Sequence, residues 1–307
     1  MLPRAVVVTR PSEYTEAIRA FQTHGQATFH LQRRGRDIDE LQARHGLQER
    51  ALTTVLGAIP GRWRRATLTR ADLPAFTFEP DDVVLAVGQD GLVANVARFL
   101  TGQPVIGVNP DPSQVAGVLV QHSPEGAARL LATLEPAQLT VERRTMVQAA
   151  LSDGQTLLAL NEIFVGHRSH QSARYLLEVG GASERQSSSG LIVSTGTGAT
   201  GWARSLHRER RSSVHLPKPT DPSLAFFVRE AWPSPTTGTK LTEGLLADGE
   251  ALGFTNELNE GGVVFGDGIE QDFLALSWAQ RVEIRRAPRA LALVPGAPGK
   301  RRRGAGT

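Results

Sequence analysis

Two loops of the chain are rich in glycine and have residue types that bind phosphate groups. The first is Gly88-Gln89-Asp90-Gly91, which follows an apolar run and precedes a helical pattern. Free backbone N–H groups at a helix start, together with the helix dipole, favour a bound anion. Asp90 is unusual there, because a carboxylate beside phosphate is unfavourable unless it binds Mg²⁺ or accepts a proton. The structural alternative is an Asp that caps the following helix.

The second loop lies in the stretch VSTGTGATGW, residues 193–202, and has the spacing G-x-G-x-x-G from Gly196 to Gly201. A Rossmann fingerprint would belong to a βαβ unit with an acidic residue about 20 positions further on. The stretch that follows, HRERRSSVHLPKPTD, is polar and has no buried parallel strand. We therefore predict that this loop approaches a ribose or adenine closely, with a helix cap by Thr200 as the structural alternative.

Polar residues also occur between the two loops. Asn161 and Glu162 interrupt an apolar run that we interpret as one strand over residues 156–165. Buried polar side chains need partners, so this pair either satisfies local backbone or faces a ligand. His167 and His170 have the spacing H-x-x-H without a third ligand or a helical frame, which favours surface residues over metal ligands.

The elements that must position these residues change in character at about residue 135. Before that point, apolar strands at residues 5–9, 83–87 and 104–108 alternate with helical patterns. Apolar strands that alternate with helices indicate a parallel sheet covered on both faces, with ligands at the carboxyl ends of the strands. The predicted helices cover residues 13–23, ending at Gly25, then 37–59, a segment after Gly91, and 124–134 with Ser123 as N-cap.

After residue 135, short β-like runs are separated by turn signals such as Asp153-Gly154. We predict strands at residues 139–151, 156–165, 174–179 and 190–194, one helix near 200–210, and further strands up to residue 294. The sequence thus predicts an α/β N-terminal domain over residues 1–135 and a β-rich, β-sandwich-like C-terminal domain over residues 136–295. A flexible basic tail is expected over residues 296–307.

The composition is typical of a water-soluble protein with two domains. The 307 residues are 40% hydrophobic and 21% charged, and no apolar run approaches the ~20 residues of a membrane-spanning helix. Without cysteine the chain has neither disulfides nor thiolate metal sites. The formal net charge is only +3, and we expect MLPRAVVVTR to enter a strand without a targeting leader. We therefore expect a cytoplasmic protein with neither nucleic-acid nor membrane partners.

Taken together, the motifs resemble those of the NAD kinase family. Gly88-Gln89-Asp90-Gly91 is similar to the family's GGDG motif, and Asn161-Glu162 is similar to its NE pair. Residues 194–205, STGTGATGWARS, are similar to its STPTGSTAYxxS segment, and the motifs occur in the family's order. Asp267-Gly268 looks like the DG of the family's last β segment, and residues 106–112 are closer to the mitochondrial-type branch.

This resemblance implies phosphorylation of the adenosine-ribose 2′-hydroxyl of NAD, which gives NADP. The implied donor is ATP or polyphosphate, with Mg²⁺ or another divalent cation, and the implied assembly is a homodimer or homotetramer. Asp90 would accept the hydroxyl proton. The residues implied to line the NAD site are Gly91, Asn161, Glu162, Thr200, Gly201, Trp202 and Ser205. Those implied to approach phosphate are Gly88, Gln89, Thr195, Gly196, Thr197 and Gly198.

Two residues of the first loop depart from the family's GGDGT pattern, with Gln89 at the second glycine and Leu92 at the threonine. A Gln side chain removes the backbone freedom of glycine, and it either obstructs phosphate or supplies an amide donor. The alternative function is therefore a non-catalytic NAD- or NADP-binding protein of the same fold. A third hypothesis is a lipid or sugar kinase with the same Gly-Asp-Gly geometry, against which the Asn-Glu pair and the Thr-rich loop argue.

Overall fold

The structure, a computed structural model, describes residues 2–113, 117–134 and 139–296. The chain divides into two compact units. The first unit extends past residue 135 to Glu142 and takes in the chain again from Ala292, while the second consists of Arg143–Leu291. The predicted basic tail lies outside the described residues except for Gly296.

The first unit has the predicted parallel sheet with helices. Its strands are β1 (Arg4–Thr9), β2 (Arg64–Thr69), β3 (Asp82–Val87) and β4 (Pro104–Val108). Its helices are α1 (Glu13–Phe21), α2 (His24–Gln32), α3 (Ile38–Ala58), α4 (Asp90–Ala97) and α5 (Pro124–Thr133). The order is β2-β1-β3-β4, and every neighbouring pair is parallel. The α/β prediction is thereby confirmed.

Local sequence explains where the helices begin. The side chain of Asp37 caps α3 by accepting from the N–H of Asp39, and the hydroxyl of Ser123 caps α5 by accepting from the N–H of Gly126. The prediction of one helix up to Gly25 is wrong. Instead α1 ends at Phe21, and the hydroxyl of Thr23 starts α2, so that Gly25 lies inside a helix.

The second unit is built from antiparallel strands and one helix, α6 (Trp202–Arg210). Its strands, of which β5 begins and β16 ends with residues of the first unit, are β5 (Glu142–Leu151), β6 (Thr156–Ala159), β7 (Glu162–His167), β8 (Ala173–Val179), β9 (Ala182–Ser188), β10 (Leu191–Ser194), β11 (Leu224–Val228), β12 (Glu243–Leu246), β13 (Ala251–Asn256), β14 (Gly262–Gly266), β15 (Leu274–Leu276) and β16 (Arg281–Leu293). One sheet has the order β12-β11-β10-β7-β14-β15. In the other, β16, β13, β8 and β9 are neighbours, and β5 pairs with β6 and β16.

The two sheets of the second unit share one apolar core. Tyr175 and Phe254 come from the sheet that contains β8 and β13, and Ile163, Val193 and Phe226 come from the other. The side chains of Tyr175 and Phe254 stack with ring centres 4.3 Å apart. This arrangement confirms the predicted β-sandwich-like domain.

Two details of the second unit differ from the sequence prediction. The run over residues 156–165 is two strands, β6 and β7, with a break at Leu160 and Asn161. Strand β9 was not predicted, and it pairs with β8 in a hairpin. The predicted turn at Asp153-Gly154 joins β5 to the antiparallel β6, and Gly154 has a φ of +90°. Within residues 2–113, 117–134 and 139–296, no helix is long and apolar enough to cross a membrane.

Candidate functional site

A cleft of about 620 Å³ opens in the first unit at the carboxyl ends of three parallel strands. Arg10 follows β1, Gly88 and Gln89 follow β3, and Asn109 follows β4, and all four line the cleft. Helix α3 contributes other lining side chains, among them Arg44 and Gln48. In open α/β sheets, ligands bind at this edge. The first glycine loop therefore lies where the architecture favours a ligand.

The backbone of this loop does not need the glycine that Gln89 replaces. Gln89 precedes α4 with φ −105° and ψ 167°, an extended conformation that any residue adopts. Its Oε1 accepts a hydrogen bond of 2.9 Å from Nη2 of Arg10. Leu92 is buried in α4, where its side chain packs beside Gly88. Both departures from the GGDGT pattern are therefore compatible with the loop's conformation.

Asp90 is the first residue of α4, and it binds a distant backbone segment. Its Oδ1 accepts from the N–H groups of Leu119 (2.8 Å) and Val120 (3.0 Å), and its Oδ2 accepts from the N–H of Val118 (2.9 Å). These bonds go to the 118–120 segment rather than to α4, so the carboxylate is not a cap of its own helix. A carboxylate has about four acceptor positions, so the residues that the structure describes leave one position on Oδ2 for a ligand hydroxyl.

Gly91 is exposed in the first turn of α4, and a Cβ there would meet no atom within 4 Å. Its carbonyl accepts a hydrogen bond from the side chain of Asn95. Packing within the described protein does not require a glycine at this position. Gly88, by contrast, donates its N–H to the carbonyl of Val108 over 3.0 Å and fits against Leu92.

In the second unit, Asp267 fixes the break between β6 and β7. Its carboxylate accepts from the N–H groups of Leu160 (3.0 Å) and Asn161 (2.6 Å), and its own N–H donates to the carbonyl of Glu162 (3.0 Å). On the other side, the hydroxyl of Thr195 donates to the carbonyl of Leu160 over 2.6 Å. The Asn-Glu pair is therefore held by its backbone, and the half-buried Asn161 side chain makes no hydrogen bond with the described residues.

Glu162 is a buried acid at the start of β7. Only 9% of the residue is exposed, and its carboxyl group makes no hydrogen bond with any part of the chain that the structure describes. Burial raises the pKa of Glu162 to about 7, and the charge of Asp267 contributes in the same direction. A buried carboxyl group with a raised pKa and no hydrogen-bond partner among the described residues is typical of a functional site.

The glycines of the second loop allow close backbone packing within the protein. A Cβ on Gly196 would collide with the carbonyl of Lys218, and one on Gly198 would collide with the carbonyl of Asn161. The N–H groups of Thr197 and Gly198 donate to the hydroxyl of Thr195 over 3.1 and 3.3 Å. The loop thus has a structural reason for its glycines that needs no phosphate.

The residues after these glycines form a 3-10 turn, Gly198–Thr200, and the start of α6. The hydroxyl of Thr200 donates to the carbonyl of Thr197 over 3.0 Å, so Thr200 does not cap α6, whose N-cap is Gly201. Thr197 is buried, and its hydroxyl oxygen has no hydrogen-bond partner among the described residues. Ser205 is exposed on α6, and its hydroxyl donates to the carbonyl of Gly201 over 3.5 Å.

Trp202 lies at a second cavity, of about 730 Å³, within the second unit. Its indole stacks on Phe164 with ring centres 5.9 Å apart and an interplanar angle of 14°. The guanidinium carbon of Arg229 lies 5.1 Å from the centre of the indole ring. His167 also lines this cavity, and its Nδ1 accepts from the N–H of Ser169 over 3.0 Å. The aromatic surface is suited to stacking on a planar ligand.

The predicted site residues therefore form two groups, one in each unit. Gly88, Gln89, Asp90 and Gly91 are together in the first unit, and the remaining predicted residues are together in the second. Sequence reasoning missed Arg10 and Arg229. It also missed that the Asp267 carboxylate holds the backbone of the Asn-Glu pair. Arg10 had a signal, because it directly follows a buried strand of the parallel sheet. The described residues contain no group of three or more His, Cys, Asp or Glu side chains arranged to hold a metal ion.

We compared the chain with family models and with curated proteins, and only the curated proteins gave matches. No family model matches the chain. The NAD kinase of Methanospirillum hungatei is 32% identical over 137 residues, which are 43% of this chain and 49% of that protein. The NAD kinase of Methylococcus capsulatus is 37% identical over 133 residues, which are 40% of this chain and 44% of that protein. The chain thus spans about half the length of the curated relatives that it matches.

Solved structures extend the similarity in fold to nearly the whole chain. Yeast NADH kinase in complex with NADH superimposes with a TM-score of 0.61 at 15% identity, covering 96% of this chain and 84% of that one. An NAD kinase from Archaeoglobus fulgidus in complex with ATP superimposes with a TM-score of 0.57 at 19% identity, covering 95% and 94%. The fold of the chain is that of these kinases. Membership of the mitochondrial-type branch stays a prediction.

Proposed function

We propose that this chain is a member of the NAD kinase family and that it transfers a phosphoryl group from ATP to the adenosine-ribose 2′-hydroxyl of NAD, which forms NADP. The observation that carries the proposal is Asp90, which follows the parallel strand β3 and has one acceptor position on Oδ2 that the described residues leave unused. Inorganic polyphosphate is the other donor that we propose to test. Gln89 does not argue for a non-catalytic protein, since its backbone is unstrained.

In this proposal Asp90 is the general base. Its Oδ2 accepts the proton of the 2′-hydroxyl as the oxygen of that group forms a bond to the γ-phosphorus and the bond to the β-phosphate oxygen breaks. ADP leaves, and the proton passes from Asp90 to solvent. Phosphoryl transfer depends mainly on positioning and charge neutralisation, and a general base contributes roughly 10²–10⁴-fold in rate. The hydrogen bonds from the 118–120 segment keep the carboxylate in place.

We propose that Mg²⁺ or another divalent cation arrives as part of the ATP substrate. Protein sites for Mg²⁺ commonly combine one or two carboxylates with substrate phosphates. Asp111 lines the cleft of the first unit beside the glycine loop, and its Oδ1 accepts from the hydroxyl of Ser113 over 2.7 Å. Asp111 is therefore a carboxylate that fits a cation carried on phosphate oxygens.

The second unit is proposed to bind NAD. The side-chain amide of Asn161 and the carboxyl group of Glu162 are available to hydrogen-bond ribose hydroxyls, and the Trp202 indole is available to stack on adenine. Further proposed NAD contacts are Thr200, Gly201 and Ser205 of this unit, and Gly91 of the first unit. For Thr195, Gly196, Thr197 and Gly198, we propose that they shape this surface, because their backbone contacts are within the protein.

The proposed assembly follows from the family resemblance, and the proposed location follows from the sequence itself. We propose a homodimer or homotetramer in the cytoplasm, with no nucleic-acid or membrane partner. Size-exclusion chromatography with light scattering measures the subunit number directly. A monomeric mass for the active enzyme would contradict the proposed assembly.

The test of the proposed activity is formation of NADP from NAD by the full chain, supplied with Mg²⁺-ATP or with polyphosphate and assayed with an NADP-specific dehydrogenase. Asp90→Asn is expected to lower kcat by roughly 10²–10⁴-fold. Asp81→Asn is the matched control, because Asp81 is an exposed residue that precedes β3. The activity proposal fails if the unaltered protein forms no NADP with either donor, and an unchanged rate in Asp90→Asn removes Asp90 from the mechanism.

A further inference from the structure

Arg10 is a cation that lines the cleft of the first unit. It forms no ion pair with the described residues, although its Nη2 donates to Oε1 of Gln89. Its own backbone carbonyl accepts a hydrogen bond of 2.6 Å from Nε2 of Gln48 on α3. The other cleft guanidinium, that of Arg44, pairs with Glu13 at 3.3 Å. Arg10 is therefore held in place, and its charge is available to an anionic ligand.

The contact with Arg10 also fixes the orientation of the Gln89 amide. A guanidinium group has only donors, so the amide must present its oxygen to Arg10 and its NH₂ group elsewhere. That NH₂ group makes no hydrogen bond with the residues that the structure describes, and Gln89 is exposed at the cleft. The two side chains together thus present N–H donors from a guanidinium and an amide at the first turn of α4.

The other charges of the cleft favour a phosphate chain that carries a metal ion. Glu40 and Asp111 also line the cleft, so a free anion would meet like charge. A polyphosphate bound to Mg²⁺ places its cation beside a carboxylate and leaves its terminal oxygens for N–H donors. Glu13 adds little repulsion, because it pairs with Arg36 at 2.6 Å as well as with Arg44.

We infer that Arg10 and Gln89 form a donor-recognition pair that binds the terminal phosphates of a metal-bound polyphosphate chain. The inference rests on the proposed function, since it assigns the phosphoryl donor to this part of the cleft. In this inference, the side-chain amide of Gln89 donates to a phosphate oxygen and makes Gln89 a specificity residue. The guanidinium of Arg10 neutralises the charge of the phosphates. The ligand class is a nucleoside triphosphate or inorganic polyphosphate, recognised through its phosphates.

The experiment compares Arg10→Met, Arg10→Lys and Gln89→Glu with the unaltered full chain. Arg50→Met is the matched control, because Arg50 is an exposed arginine of α3 that does not line the cleft. Steady-state assays give KM for ATP and for NAD, and calorimetry gives the Kd of tripolyphosphate with Mg²⁺. Arg10→Met and Gln89→Glu are expected to raise KM for ATP and Kd for tripolyphosphate at least about tenfold, the effect of a charge-assisted contact. KM for NAD is expected to stay within about twofold, and Arg10→Lys is expected to recover part of the loss.

The outcomes separate this inference from the proposed activity. An active enzyme whose KM for ATP and Kd for tripolyphosphate are unchanged in Arg10→Met overturns the inference and leaves the activity standing. Equal losses for ATP and NAD, without recovery in Arg10→Lys, assign Arg10 a structural role and also overturn it. If ATP binding depends on Arg10 but tripolyphosphate binding does not, recognition through the phosphates is wrong. Binding of tripolyphosphate that depends on Arg10 in a protein that forms no NADP supports the inference while the activity fails.

Discussion

Replacing Asp267 with Asn tests whether one carboxylate organises the Asn-Glu pair. Asp267 accepts two backbone hydrogen bonds at the break between β6 and β7, and Leu160, which donates one of them, is fully buried. Asn keeps the shape of the side chain but replaces one oxygen with an NH₂ group. It also tolerates the φ of +56° at this position, a left-handed conformation that Asn and Asp adopt more readily than most residues.

The size of the effect follows from the bonds that change. One N–H of the break loses its acceptor, which costs about 1–3 kcal/mol when the group is buried. The other keeps an acceptor that is no longer charged, which removes about 1 kcal/mol more. We expect Asp267→Asn to lower the free energy of unfolding by about 3 kcal/mol in total. Since Glu162 has a pKa of about 7, measurement near pH 6 keeps it mostly protonated and limits any gain from relieved repulsion.

The assay is urea denaturation followed by circular dichroism, with midpoints compared at a common slope. Asp153→Asn is the matched control. Asp153 also accepts a backbone N–H, that of Gln155 at 3.0 Å, but it lies in an exposed turn where water can replace it. That control is expected to lose no more than about 1 kcal/mol. NAD binding by calorimetry should weaken in Asp267→Asn and stay unchanged in Asp153→Asn.

The role assigned to Asp267 is refuted if Asp267→Asn and Asp153→Asn lower the free energy of unfolding by the same amount. It is also refuted if Asp267→Asn unfolds more easily but binds NAD with unchanged affinity, because the break would then hold its ligand-facing shape without the carboxylate. Glu162→Gln in the Asp267→Asn background separates the two effects. If the hydrogen bonds of Asp267 carry the effect, and not its charge, Glu162→Gln should change the free energy of unfolding equally in the Asp267→Asn background and in the unaltered chain.

Three further predictions concern stability and binding. Because folded Glu162 keeps a proton that the unfolded chain releases above its ordinary pKa of 4.5, stability should fall by up to about 3 kcal/mol as the pH rises from 4.5 to about 7. Glu162→Gln should flatten this dependence in urea titrations at several pH values, and a slope that persists would assign it to another group. Gly198→Ala should destabilise by at least about 2 kcal/mol through collision with a carbonyl, whereas Gly91→Ala, with open space around it, should be neutral or stabilising by up to about 1 kcal/mol in thermal melts. Trp202→Ala should weaken NAD binding about tenfold in calorimetry and leave KM for ATP unchanged, and an equal change in both would contradict a role specific to NAD.

The elements that the sequence predicted well are those that are apolar throughout or carry a side-chain cap. Strands β1, β3 and β4 are buried runs of apolar residues in the middle of the parallel sheet. Strands β2 and β9 were not predicted because they are edge strands. Polar side chains of edge strands face solvent, so neither segment has an apolar run. Helix α2 was hidden because Gly25, normally a stop signal, lies in its first turn.

Some residues of the candidate site could be predicted from the sequence, whereas their hydrogen-bond partners could not. Glycine loops and an isolated carboxylate are visible as residue types, so Asp90 and the Asn-Glu pair could be selected from the sequence. Their partners could not, because Asp90 and Asp267 bind backbone N–H groups, and any residue supplies such a group. The contact between Arg10 and Gln89 joins residues 79 positions apart, and only the pairing of β1 with β3 brings them together.

Strand β16 makes the first unit discontinuous in the chain. Its residues up to Leu291 belong to the second unit, whereas Ala292 and Leu293 pair with β4. Val294 then donates its N–H to the carbonyl of Val105 over 2.8 Å. On the ribosome, where domains tend to fold as they emerge, the first unit must wait for the whole second unit to be synthesised before its sheet is complete. A fragment that stops at Glu142 therefore lacks the two residues that pair with β4 at the edge of the parallel sheet, and leaves that edge of the first unit open.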